Sequence, residues 1–343
     1  MNRIKVKSVL PRQLWPHYDA LVMWALDILY MRLYTSPAKI VLGTGRRMTA
    51  RRISRSSRPF RFDVCGLMGM GATLKNVILL HHTFDGNPGL KKIVASNPLY
   101  LQTGPQKDVI DQFFDRLDPD WSEACETIPF ESEFDISTKP LSDGLTIQRA
   151  NQLFNQHYAV KQNLMREASA FLDSAGSRVL GVHFRSGDKR QEAHGVPWDR
   201  FATTVGAVLD QQDTDSIFVA TDELAFVHFM EKRYGSARVW ALDSKFLSDR
   251  LVPAHFMAGD GYEKGREALL TAIILSRCVM CVRGHSYLSA FSKILNPELR
   301  IIMLGEPFSP IPFPEVEILR EAAECQKQLE SLGNSMAVNS RLA

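Results

Sequence analysis

Acids, bases and guanidinium groups collect in three short stretches of this chain: RSGDKRQEAH from Arg185 to His194, Thr221-Asp222, and Arg283-Gly284-His285-Ser286. The first puts Arg185, Asp188, Lys189, Glu192 and His194 in one loop. Ser286 precedes an apolar helical pattern and is a natural helix cap. An arginine beside a serine-capped helix N-terminus suits a pyrophosphate, because guanidinium pairs bidentately with phosphate and the first helical turn supplies N–H donors that lack intrahelical partners. Asp188, Glu192, Asp222 and His194 are groups able to take a proton from an incoming hydroxyl. A nucleotide leaving group and a hydroxyl acceptor are the chemistry such a set serves. Asp188, beside Lys189 and Arg190, also reads as a surface ion pair or a loop-closing turn.

A second candidate lies upstream. Phe62 to Cys65 reads as a short strand running into GLMGMGATL (66–74) and then an apolar run through Val77, Ile78 and Leu80. Strand, glycine loop and helix in that order fit a phosphate or sugar cradle at Gly69 and Gly71, since glycine lets backbone N–H groups approach a ligand. A tight strand-to-helix turn fits equally. No Lys-Ser/Thr pair follows, which argues against a P-loop, and no acid stands ~20 residues further on, as a dinucleotide fingerprint requires.

The elements that must hold these residues are clearest in the second half. A polar helical pattern begins near Thr146, with Leu153, Tyr158, Val160, Leu164 and Phe171 as its apolar positions. Then strands are expected at 178–184, 216–220, 238–242, 279–282 and 300–304, alternating with helices at 198–210, 223–234, 265–277 and 286–295. Apolar strands alternating with helices predict an α/β fold whose parallel sheet is covered on both faces, and ligands then bind outside the carboxyl ends of the strands. All three chemical stretches fall at such ends. Upstream, residues 97–145 read as loop-rich, DGNPG (85–89) as a turn, and 11–35 as a helix with an apolar stripe. Seven arginines between 46 and 61, with no acid among them, read as a solvated linker or an anion-binding arm.

Composition excludes several classes. The 343 residues are 45% hydrophobic and 23% charged with a net charge of +3, which fits a globular protein and gives no electrostatic case for a nucleic-acid partner. Five cysteines without a repeating pattern argue against a secreted disulfide scaffold. MNRIKVKSVLPRQLW lacks the apolar core of a secretory signal, and no stretch offers the ~20 clean apolar residues of a membrane span, so a cytoplasmic chain with no integral membrane segment is expected. Cys278 and Cys281 straddle an expected strand and read as small buried hydrophobes, His81-His82 as a helix end, and Trp198 and Trp240 as packing residues. Trp121 could line an acceptor cleft.

At this point the residues carry a resemblance. GVHFRSGDK (181–189) resembles the His-x-Arg-x-x-Asp-Lys segment of the fucosyltransferase superfamily with the GT-B fold, which includes nodulation, core α-1,6 and protein O-fucosyltransferases. IFVATDE (217–223), GREALLTAIILSRCVMCVRGHSYLSAFSKILNP (265–297) and GMGATL (69–74) are similar to later and earlier segments of that superfamily, most closely its bacterial branch. The resemblance implies two Rossmann-like domains facing a cleft: an acceptor-side domain over 62–145, short and divergent, and a nucleotide-sugar domain over 146–310. Residues 1–61 would be a divergent helical and arginine-rich extension, and 311–343 a C-terminal helix and tail. It further implies inverting transfer of fucose from GDP-fucose to a glycan-type hydroxyl acceptor without a metal. Arg185 would hold the diphosphate and His183 the nucleotide, with Lys189, Thr221 and Asp222 beside them. Ser286 and Ser289 would complete the phosphate loop, and Asp188 and Glu192 would belong to the catalytic machinery. Where relatives carry an acid aligned with a guanine contact this chain has Thr271, and Glu267, one turn earlier on the same helix face, could substitute. That departure keeps two alternatives open: an inactive nucleotide- or glycan-binding relative, and a transferase using another nucleotide sugar.

Overall fold

The computed structural model describes residues 59–102, 108–118, 125–130, 141–185, 195–247, 257, 259–305, 307–308 and 311–323. The expected helix at 11–35, most of the arginine-rich stretch, Trp121 and the loop 186–194 lie outside the described residues.

Strand β1 (Phe60–Val64) buries Phe60, Phe62 and Val64 on one face and leaves Arg61 and Asp63 half-buried, the two-residue alternation of a strand. Helix α1 (Met70–Thr83) follows, and it is buried on nearly every side. Strand β2 (Leu90–Val94) returns parallel to β1, which requires the helical crossover that α1 supplies. Next come α2 (Val109–Phe113), β3 (Phe114–Arg116) and β4 (Glu126–Phe130), and β4 joins the other side of β1 in parallel. These short elements occupy the stretch expected to be loop-rich. Runs of five, three and five residues are too short to display a period.

The helical pattern expected from Thr146 divides into α3 (Ile147–His157) and α4 (Gln162–Ala175), separated by strand β5 (Tyr158–Val160). Tyr158 and Val160 are therefore strand residues, not helix positions. Aromatic and β-branched side chains suit an extended backbone, and β5 completes its hydrogen bonding antiparallel to β3, with Arg116 opposite Tyr158. Thr146 caps α3 by accepting the Arg149 N–H at 3.1 Å.

The second sheet is built as the alternation predicts. Strand β6 (Val179–Phe184) is buried throughout; α5 (Trp198–Gln211), β7 (Ser216–Thr221), α6 (Leu224–Tyr234), β8 (Val239–Trp240), α7 (Gly261–Ser276), β9 (Met280–Arg283), α8 (Tyr287–Leu295) and β10 (Ile301–Met303) follow. All pairings are parallel in the order β10-β9-β6-β7-β8. The described residues thus form a mixed α/β structure with parallel sheets of three and five strands and the antiparallel pair β3-β5. On one face of the larger sheet Phe184, Phe201, Phe226 and Trp198 interlock. On the other, one core runs from Phe60 through α1, α7 and α8 to Ile318.

Candidate functional site

The five-stranded sheet reverses its winding between β6 and β9, since β6 leads through α5 to β7 on one flank while β9 lies on the other. At such a reversal the loops leaving adjacent strands diverge, opening a crevice at the carboxyl edge. Arg185 follows the last residue of β6, and its Nε stands 4.0 Å from Oδ2 of Asp222, just after β7. Thr221 Oγ1 accepts the Glu223 N–H at 3.1 Å and holds the turn into α6. His183, inside β6, is the register partner of Arg283 in β9, and its carbonyl accepts the Gly284 N–H at 3.2 Å.

Beyond β9, Ser286 caps α8 by accepting the Leu288 N–H at 3.3 Å. Ser289 is fully buried one turn later, where its hydroxyl lies 3.3 Å from Ser286 O and 3.1 Å from His183 Nδ1. Ser289 therefore stands behind His183 and fixes the imidazole. Arg185 follows β6 and the N-terminus of α8, the positive end of its dipole, follows the neighbouring strand β9, with the Asp222 carboxylate beside Arg185.

Arg283 points the other way. It is fully buried, with Nε donating to Gly284 O at 3.0 Å and Nη2 to Ser286 O at 2.7 Å and Glu315 Oε1 at 2.5 Å. Glu315 is equally buried and also accepts the Ser286 N–H at 3.2 Å, while His285 Nδ1 lies 3.2 Å from the same carboxylate. Burial alone would raise the Glu315 pKa, but Arg283 and His285 hold it below the ordinary value. Glu315 is not legible as a site residue in the sequence, because neither acid of IPFPEVEIL, Glu315 or Glu317, carries a signal of its distant partner.

The remaining candidates are placed less uniformly. Glu267, on α7, accepts the hydroxyl of Ser244 from the loop after β8, two strands away from β6. Burial raises its pKa against that hydrogen bond. Thr271 is half-buried one turn on. Gly69 occupies the N-cap position of α1, where an added Cβ would meet nothing within 4 Å. Gly71 differs: a Cβ there would lie 2.3 Å from the Tyr287 carbonyl carbon and 2.4 Å from Leu288 N. It is the contact that seats α1 on the first turn of α8, with Lys75 Nζ 4.8 Å over the Tyr287 ring. Asp188, Lys189, Glu192 and His194 lie outside the described residues.

Cys278 and Cys281 are buried free thiols, and burial pushes Cys281 up to about 12. No group of three metal-ligating side chains occurs among the described residues. No described helix is long and apolar enough to cross a membrane.

No protein-family model matches this chain, and no curated protein does. Solved structures that it is similar to include fucosyltransferases. NodZ α-1,6-fucosyltransferase co-crystallized with GDP shares 15% identity over 73% of this chain and 96% of that one, at a TM-score of 0.49. POFUT1 in complex with GDP shares 10% identity over 73% of this chain and 100% of that one, at 0.43. A variant of Arabidopsis thaliana FUT1 in complex with GDP shares 10% over 77% and 76%, at 0.44. Likeness at that depth assigns no residue its role.

Proposed function

We propose that this chain is an inverting, metal-independent glycosyltransferase that transfers fucose from GDP-fucose to a hydroxyl of a glycan-type acceptor. The observation that carries the reading is that Arg185 and the Ser286-capped end of α8 follow adjacent strands at the winding reversal. A guanidinium and a helix N-terminus together neutralise a departing diphosphate, the work a divalent ion does elsewhere. The sequence resemblance supplies the sugar and the nucleotide. In one displacement the acceptor oxygen bonds to the anomeric carbon as the bond from that carbon to the diphosphate oxygen breaks. The acceptor proton passes to a carboxylate, Asp188 or Glu192, and GDP leaves with both electrons of the broken bond.

Calorimetric titration of GDP and UDP, in EDTA, into the wild-type protein and Arg185→Ala tests this. GDP should bind the wild type in preference to UDP, and the variant should lose that binding. With an acceptor, Arg185→Ala should turn over at least about a hundredfold more slowly, the usual scale for losing one donor to developing charge. A folded wild type that binds neither nucleotide would overturn the assignment. Preference for UDP would overturn the guanine part alone, and with it the substitution of Glu267 for the missing acid at Thr271.

A further inference from the structure

The segment after β10 reads from sequence as a helix and tail, yet its first helical residue reaches the centre of the site. Glu315 opens the helical residues 315–323. Its Oε1 receives the Ser286 amide at 3.2 Å and Arg283 Nη2 at 2.5 Å, and the same guanidinium holds Gly284 O and Ser286 O. Two side chains thus grip three backbone groups of the 284–286 loop, directly beneath the first turn of α8. Stability does not explain the pair. Two charges with no exposed surface cost more to desolvate than they regain unless every polar atom is satisfied, and a matched apolar pair often does as well. Here Arg283 Nη1 and Glu315 Oε2 make no hydrogen bond among the described residues. What the pair does supply is loop geometry at the start of α8, with the carboxylate balancing the guanidinium so that the two add no net charge beneath the helix dipole.

We infer that Glu315 is a positioning residue for the donor diphosphate. Through Arg283 and the Ser286 amide it sets the orientation of the α8 N-terminus against the phosphate oxygens, without touching the ligand itself. The inference rests on the nucleotide-diphosphate reading above. It has a signature that a purely structural role lacks, because only ligands carrying phosphates should sense it.

The test compares wild type, Glu315→Asp and the charge-balanced double variant Arg283→Met/Glu315→Leu. Each is assayed for thermal unfolding, for GDP affinity by calorimetry and for guanosine affinity by NMR titration. Glu315→Asp keeps the ion pair but withdraws the carboxylate from the Ser286 amide by one methylene, and the double variant removes the grip without leaving a buried charge. Both should weaken GDP at least about tenfold, while guanosine changes by less than about twofold, the scale of a lost charge-assisted hydrogen bond. If either variant, folded, binds GDP as the wild type does, or loses guanosine and GDP in equal proportion, the inference is overturned. Should the double variant not fold, Glu315→Asp decides alone. A wild type that binds no GDP sinks the nucleotide reading and this inference together, whereas wild-type binding with unchanged variants sinks only the role of Glu315.

Discussion

His81 shows what one buried residue contributes. Its Nε2 lies 2.8 Å from the Tyr158 hydroxyl and its ring stacks on His157 at 3.9 Å, with Arg116 beside Tyr158 and Asp118 bonded to His157 at 2.6 Å. Burial first, then His157 and Arg116, hold its pKa well below the ordinary 6.5. The unfolded chain therefore binds a proton that the folded one refuses. Its contribution to stability is complete above pH 6.5 and is lost as pH falls through that value toward the folded pKa, by up to about 1.4 kcal/mol per pH unit. Urea titrations at about pH 7.5 and about pH 5.5 should show wild type weakening across this window and His81→Gln weakening less. Equal slopes would exclude His81 as the origin. Neither His81 nor Glu315 was legible in the sequence as a charge-controlled group, because the environment of each comes from residues far along the chain.

At the scale of elements, the contact between α1 and α8 is the tightest determinant of the site. Gly71 lets two helix starts meet backbone to backbone, and Gly261 does the same against Leu101 O, which an added Cβ would approach to 2.4 Å. The Gly71→Ala variant must shift α1 and α8 against each other, and α8 is the helix whose first turn the proposed diphosphate site uses. It should lose about 1–3 kcal/mol in chemical denaturation, the cost of overpacking, and bind GDP more weakly. Gly69→Ala meets open space at a cap position and should cost under about 1 kcal/mol. Equal losses at the two positions would contradict this division of labour. Both glycines are visible in the sequence; which one is a helix contact is not, since spacing carries no information about a partner more than two hundred residues away. The C-terminal helix is likewise an integral strut: Glu317 accepts the Ile147 N–H of α3 at 2.7 Å, and Glu321 pairs with Lys293 of α8 at 2.7 Å.

For the whole molecule, the continuous core is the governing fact. Phe60 and Leu80 of the smaller sheet and its helix share one apolar cluster with Leu269, Phe291 and Ile318. Two sheets that share a core should unfold together, so far-ultraviolet circular dichroism and tryptophan fluorescence should report one coincident urea transition. Two resolved transitions would show that the halves fold independently.

The larger sheet is legible in the amino-acid pattern. Buried parallel strands are apolar runs and their crossover helices carry a 3.6-residue period, so the strands, their parallel pairing and the placing of Arg185, Asp222 and Ser286 at carboxyl ends follow from local pattern, whereas the order β10-β9-β6-β7-β8 does not. Packing settled the rest. It buried Arg283 against Glu315 and set Arg185 beside Asp222, spent Gly71 on α8, set Glu267 apart beside Ser244, and brought Glu315 under the serine loop. Each depends on which distant backbone groups need a partner once the chain is packed, and a buried amide or guanidinium takes whatever acid the fold brings within reach.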